Sequence, residues 1–287
     1  MDPLQLVRLT PLMSCSQGRP ELAVALIDGP IALDHPDLAQ SRIREIPADV
    51  RASCLRLESV ACMHGTFVAG MLVARRGSPA PAICPACTLL LRPIFTEHKN
   101  GNGPMPSASP AELATAISDT VSAGASVINL SAALAQPSSR GERQLEQALD
   151  YAAQRGVLVV AAAGNQGTVG SSAITRHPWV ISVIGCDLQG RPTAESNLGS
   201  SIGTRGLAAP GENITSLGTD GKPGAFGGTS AAAPFVTGAI ALLWSEFPSA
   251  SAGRIKLTVT QAGRRSRRSI APPVLDAWAA YEAMSMN

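Results

Sequence analysis

Apolar positions along the chain fall into two alternating patterns. Leu22 to Ile27, Cys87 to Ile94, Ser126 to Leu130, Val157 to Ala163 and Val180 to Ile184 are short and almost continuously apolar. Runs of strand length without polar alternation predict strands buried on both faces. The segments between them carry helical spacing. From Pro110 to Ala123, Leu113, Ile117 and Val121 share one face, Ser109 supplies the N-cap, Glu112 completes a capping box and Gly124 follows as a stop. Glu142 to Arg155 repeats the scheme, with Leu145, Ala148, Leu149 and Ala152 as the stripe and Gly156 as the stop. This alternation predicts an α/β fold, a parallel sheet covered by helices on both faces, with ligands at the carboxyl ends of the strands. No internal repeat interrupts it, and Thr96 to Ser109, rich in Gly, Pro, Asn and Ser, reads as a surface loop. One domain over residues 1–287 is expected. Residues 1–21 form an N-terminal extension, and 263–287 a tail with Arg264, Arg265, Arg267 and Arg268 before a short helix around Leu275 to Met284.

Composition narrows the class. Hydrophobic residues make up 45% and charged residues 15%, which excludes a disordered chain or a coiled coil, and 27 Gly with 22 Pro point to many tight turns. A net charge of +2 and few aromatics give no sign of a nucleic-acid binder. No apolar run approaches the roughly 18 residues of a membrane span. Met1 to Thr10 carries Asp2 and Arg8 and lacks the order of a secretory signal, which predicts the cytoplasm. There most of Cys15, Cys54, Cys62, Cys84, Cys87 and Cys186 are expected as thiols. Cys84-Pro85-Ala86-Cys87 sits where a turn enters a strand, so it reads as a short-range disulfide or two idle thiols, not a redox motif. Cys54 and Cys62 stay open between pairing with each other and joining a zinc site with that pair.

Three segments carry candidate chemistry. Val24-Ala25-Leu26-Ile27-Asp28-Gly29-Pro30 is a buried strand ending in a carboxylate, which must be paired or hydrogen-bonded. Met63-His64-Gly65-Thr66-Phe67 places a histidine ahead of a helix rich in small residues, and Gly227-Gly228-Thr229-Ser230-Ala231 places a serine at the start of an apolar helix running to Trp244. Such a helix start offers free N–H groups to an anion. Singly, each residue has a plain structural use: Asp28 as a turn former, His64 as a core histidine, Ser230 as a cap. Asp, His and Ser in this chain order, at one strand end and two helix starts, instead fit a nucleophilic triad. His35, in Asp34-His35-Pro36-Asp37-Leu38, reads as structural, and His98 and His177 as surface residues.

These segments resemble the signatures of the subtilases, and Ala161-Ala162-Ala163-Gly164-Asn165-Gln166-Gly167 resembles a fourth, the one carrying their oxyanion-hole asparagine. The resemblance spans Leu22 to about Trp244 and implies a subtilisin-like fold and a serine endopeptidase. It implies Ser230 as nucleophile, His64 as base, Asp28 as its orienting carboxylate, and Asn165 with the Ser230 N–H as oxyanion donors. Ser126 to Ala133 is similar to the strand on which subtilases lay an extended peptide. The substrate-facing set is then Ser131, Ala132 and Ala133 with Ala163, Gly164 and Gln166; Ala133 in place of a common glycine and an uncharged Gln166 at the rim favour an uncharged, modest-sized residue at the cleavage point. Ile27 to Pro36, with Gly-Pro after Asp28, is most similar to the PatA- and PatG-type maturation proteases of cyanobactin biosynthesis. That implies trimming of a ribosomal precursor peptide, with general protein turnover, macrocyclisation or an inactive peptide-binding module as alternatives.

The departures from the family also carry expectations. The segment before Asp28 is too short to hold the folded pro-domain of secreted subtilases, so folding without one is expected. Phe67 and Phe235 stand where the family often has further histidines. The Arg264 to Arg268 cluster reads as a solvated stretch or, less simply, as a dock for an acidic leader. Expected partners are peptides, with no nucleic acid, membrane or cofactor. Ala74 to Pro81 has no Asn or Asp where secreted subtilisins carry a calcium loop, and hard cations need such oxygens. A chelator is therefore expected to leave the melting temperature unchanged within about 1 °C. A drop of many degrees in EDTA would reveal a bound cation.

Overall fold

A computed structural model of the chain describes residues 2–97, 108–132, 142–262 and 269–286. Seven parallel strands form the central sheet: β1 (Ala23–Asp28), β2 (Arg42–Glu45), β3 (Thr88–Pro93), β4 (Val127–Leu130), β5 (Leu158–Ala162), β6 (Val180–Cys186) and β7 (Leu207–Pro210), in the order β2-β3-β1-β4-β5-β6-β7. A two-stranded antiparallel ribbon, β8 (Ile214–Leu217) and β9 (Pro223–Phe226), lies apart from it. All five strands read from apolar runs are present. The polar edge strand Arg-Ile-Arg-Glu of β2 has no such run, and β7, Leu-Ala-Ala-Pro, is a short run of mostly small residues, so both escaped that reading.

Continuous apolarity in the central strands follows from burial on two faces. Val24, Leu26, Leu89, Leu91, Val127, Leu158 and Val160 point into one core with the helices Val60–Val73 and Thr229–Glu246. Ala25, Ile27, Leu90, Ile128, Leu130, Val159 and Ala161 point into the other with the helices Pro110–Ser122 and Arg143–Gln154. Ser109 and Glu112 form the expected capping box. The sheet is thus an α/β sheet covered on both sides, and β1 lies between β3 and β4, where the strand order reverses direction. Among the described residues no helix is long and apolar enough to cross a membrane.

The chain ends are built into this frame. Val7, Leu9 and Leu12 are fully buried, so the N-terminal segment is part of the core and not a loose extension. Arg8 pairs with Asp276 at 3.0 Å, and Leu275, Ala277 and Ala280 of the final segment are buried. The Ala208 N–H donates to the Pro273 carbonyl and the Leu275 N–H to the Ala208 carbonyl, which covers the outer edge of β7. The final helix spans Ala277–Ser285. His177 is 8% exposed and pairs with Asp150, so it is not the surface residue expected. His98, Ala133 and the Arg264 to Arg268 cluster lie outside the described residues.

Cysteine chemistry divides in two. Cys54 and Cys62 are joined as a disulfide, one of the two readings left open for them, and Cys15, Cys84, Cys87 and Cys186 are thiols. Cys84 and Cys87 are buried free thiols hydrogen-bonded to each other at the entry to β3, whereas Glu97, beside the disulfide, follows the other end of that strand. A four-cysteine zinc site is thereby ruled out, because the two pairs lie at opposite ends of β3.

One contact sets where the helix Val60–Val73 lies. A Cβ on Gly65 would come 2.4 Å from the Pro30 carbonyl oxygen, and one on Gly29 would come 2.1 Å from that of Ala61. Only two glycines permit this approach of helix to turn. In an exposed helix interior Gly→Ala stabilises by about 1 kcal/mol. Here Gly65→Ala is expected to reverse that sign and lower the melting temperature by several degrees, measured by thermal denaturation. An unchanged or raised value would show that the two backbones are not tightly apposed.

Candidate active site

Asp28 is the last residue of β1 and is fully buried. Its Oδ1 accepts from the Gly29 N–H at 2.7 Å and lies 2.7 Å from His64 Nδ1. The carboxylate requires a proton on Nδ1, which leaves the His64 Nε2 lone pair facing Ser230 Oγ at 2.9 Å. His64 lies inside its helix, in the first half and not ahead of it as expected, because Ser59, which accepts from the Cys62 N–H, caps the helix five residues earlier. Phe226 meets the imidazole edge-on, with ring centroids 5.5 Å apart, and also packs on Phe67. Phe67 and Phe235 are fully buried apolar residues here. Three side chains far apart in sequence thus form one hydrogen-bonded line.

Ser230 is the second residue of its helix, after Gly228 as N-cap and Thr229. The first turn of a helix has no internal partners for its N–H groups, so the Ser230 N–H is free to meet an anion. Thr229 ties this turn to the loop after β5. Its N–H donates to Asn165 Oδ1 at 2.9 Å and its Oγ1 accepts from the Gly164 N–H at 3.1 Å. With Oδ1 so occupied, the Asn165 amide must present Nδ2 outward, and among the described residues Nδ2 has no acceptor. Gly228 has φ +84°, and a Cβ there would come 2.7 Å from that Nδ2. Glycine is needed at this position on both counts.

The other candidates fall on one side of this line. Leu130 and Ala161 are the last pair between β4 and β5, and beyond them Ser131 and Ala132 run on at the level of Ala162 and Ala163, just before Gly164. Asn129, fully buried on β4, donates to Ser131 Oγ and accepts from Thr237 Oγ1 of the serine helix. Gln166 is exposed at the rim. His35 is structural: its Nδ1 accepts from the Asp37 N–H and caps the turn Pro36–Leu38. Sequence reasoning missed Thr229, Phe226, Asn129 and Thr237, whose partners lie far away in the chain. Glu97, which accepts from the Leu55 and Arg56 N–H groups and Ser59 Oγ, was missed as well.

Chemically, this is a hydroxyl beside a base, with two donors converging nearby. Burial pushes the His64 pKa down, but the charge of Asp28 and its hydrogen bond outweigh burial and hold it above the ordinary 6.5.

The sequence model described as the subtilase family matches residues 20–270. The thermostable alkaline protease of Halalkalibacterium halodurans is 31% identical over 199 residues, covering 69% of this chain and 51% of that protein. The chain therefore spans about half the length of the curated relatives first in similarity. Among solved structures, a serine-to-alanine mutant of the protease domain of PatA superposes with a TM-score of 0.85 at 29% identity, covering 94% of this chain and 97% of that one. The prenylagaramide maturation protease PagA gives 0.82 at 27% identity, covering 96% and 98%.

The raised His64 pKa has opposite consequences for activity and stability. Any reaction that uses neutral His64 as base is expected to rise with pH through one ionisation above 6.5 and then level off. The Asp28–His64 pair stabilises the fold fully below the unfolded value and loses that contribution as pH rises through the folded one. The melting-temperature difference between the wild type and Asp28→Asn, followed from about pH 5.5 to 8.5, should therefore shrink. A difference that grows with pH would contradict the raised value.

Proposed function

Because this chain belongs to the subtilase family, we propose that it is a serine endopeptidase working through Asp28, His64 and Ser230. The observation that carries the reading is the continuous line from Asp28 Oδ1 through both His64 nitrogens to Ser230 Oγ. His64 Nε2 takes the hydroxyl proton as Oγ attacks a peptide carbonyl, and the imidazolium is met by the Asp28 carboxylate. Negative charge on the carbonyl oxygen is received by Asn165 Nδ2 and the Ser230 N–H; in subtilisin, loss of the equivalent asparagine costs about 2.7 to 4 kcal/mol. The proton then passes from Nε2 to the leaving amine, and a water activated in the same way releases the acyl group. The peptide would lie along Ser131 and Ala132, with the residue before the scissile bond between that segment and Ala163-Gly164, and Gln166 at the rim.

The substrate we infer is a ribosomal precursor peptide whose leader is trimmed. Likeness to the PatA protease domain and to a prenylagaramide maturation protease supports this over general turnover. Hydrolysis is favoured over ring closure because the stretch between Asp28 and the His64 helix holds only the turn Pro36–Leu38 and β2, with no helical insert to keep water from the acyl-enzyme. Residues 1–287 act as one peptidase unit in this reading, supported by the buried N-terminal leucines and the Arg8–Asp276 pair. A cytoplasmic site of action fits an enzyme of fresh translation products and the free Cys84–Cys87 pair, with the Cys54–Cys62 bridge as the exception.

Ser230→Ala is expected to abolish fluorophosphonate labelling and to lower turnover by about 10⁶, the subtilisin precedent, with an unchanged melting curve. Mass measurement on a precursor peptide should show linear fragments. A product one water lighter than its linear core would mean a cyclase, and comparable cleavage by the alanine variant would sink the triad.

A further inference from the structure

Asn165 can serve as an oxyanion donor only if its amide is held in place, yet among the described residues no hydrogen bond reaches its backbone. It sits at the tip of an exposed loop between Gly164 (φ +104°) and Gly167 (φ +64°). Left to itself, such a loop would sample many conformations, and a donor misplaced by an ångström loses much of its effect. Something outside the loop has to fix it.

Asn197 is fully buried beneath this loop, on the segment that follows β6. Its Oδ1 accepts from the Gln166 N–H at 3.1 Å, the Thr168 N–H at 3.1 Å and Thr168 Oγ1 at 3.0 Å. Its Nδ2 donates to the Ala163 carbonyl at 3.1 Å and to Gln166 Oε1. Its own N–H donates to the Gly164 carbonyl at 2.9 Å, and neighbouring pairs run from the Gly167 N–H to the Glu195 carbonyl and from the Leu198 N–H to the Thr168 carbonyl. One side chain therefore grips the loop on both sides of Asn165 and supplies both an acceptor and a donor. Among the described residues, every hydrogen-bond partner of this side chain belongs to residues 163–168. A buried asparagine whose side chain only served folding would have no reason to place all its bonds on one catalytic loop.

We infer that Asn197 is a positioning residue for oxyanion stabilisation, acting through Asn165. This rests on the peptidase reading above. The second anchor of Asn165, the Thr229 N–H, fixes the amide from the serine side, and Asn197 fixes the loop from below. Together they set the distance between Asn165 Nδ2 and the Ser230 N–H.

The test compares Asn197→Asp and Asn197→Ala in the full chain, with kcat expressed per Ser230 titrated by fluorophosphonate, so that loss of folded protein does not count. Aspartate keeps the acceptor and loses the donor to Ala163, so kcat should fall about 3- to 10-fold; alanine removes both, and about 10- to 100-fold is expected, with KM within about threefold. Thr168→Val removes one donor from Oδ1 and gives a milder fall should the alanine variant not fold. The pH at which activity rises should stay where it is, because His64 is untouched. In an Asn165→Ala background each of these substitutions should cost less than about twofold, since the group they position is gone. Variants that lower the melting temperature but leave kcat per titrated site unchanged, or whose losses multiply fully with Asn165→Ala, would overturn the inference. Wild-type chain without Ser230-dependent turnover would overturn the peptidase reading as well.

Discussion

The site depends on how closely one helix approaches one turn. Asp28 is fixed by β1, whose neighbours β3 and β4 pair with it on both sides, and its carbonyl accepts from the Ile94 N–H beyond β3. His64 has no such frame of its own. It reaches the carboxylate because Gly29 and Gly65 let the helix Val60–Val73 settle onto the turn with no side chain between them. The Ala32 N–H to Thr66 Oγ1 bond and the Ser216 Oγ to Phe67 carbonyl bond then pin the helix on either side of the contact. A hydrogen bond of 2.7 Å between two buried side chains from separate elements follows from that backbone geometry.

The acceptor side of the chemistry is built differently. The serine helix is long, apolar and central to one core, so Ser230 moves with the body of the protein. The Asn165 loop is exposed and takes its position from polar anchors: Thr229 from above, and the segment around Asn197 from below. Hydrophobic packing thus sets Ser230 and His64, the proposed nucleophile and base, and hydrogen bonds set the Asn165 amide. The two parts meet at Gly228, where a missing side chain leaves room for the Asn165 amide.

How much of this was legible beforehand follows from what periodicity and motif can carry. Leu22 to Ile27 and its counterparts announced the central strands because burial on both faces demands unbroken apolar runs. β2 announced nothing, because an exposed edge strand is polar, and charged residues there discourage pairing with other chains. The four signature residues were readable because each lies in a distinctive local string. Asn197, Thr229 and Thr237 were not, since their partners are 29 or more residues away and their own strings are ordinary. The compartment argument treats cysteines as a population and does not say which two would pair; that Cys54 and Cys62 face each other is set by the loop that leads into the histidine helix. His177 misled because a polar residue reads as surface until its packing partner, here Asp150, is known.

The central claim is that strand end, histidine helix, serine helix and Asn165 loop converge on one reacting atom. A structure of the chain carrying a peptidyl phosphonate on Ser230 tests it most directly. The account predicts a bond to Ser230 Oγ, with one phosphonyl oxygen about 2.7 to 3.1 Å from both Asn165 Nδ2 and the Ser230 N–H, and the peptide running along Ser131 and Ala132. A phosphonyl oxygen turned away from Asn165, or an adduct on another residue, would contradict it.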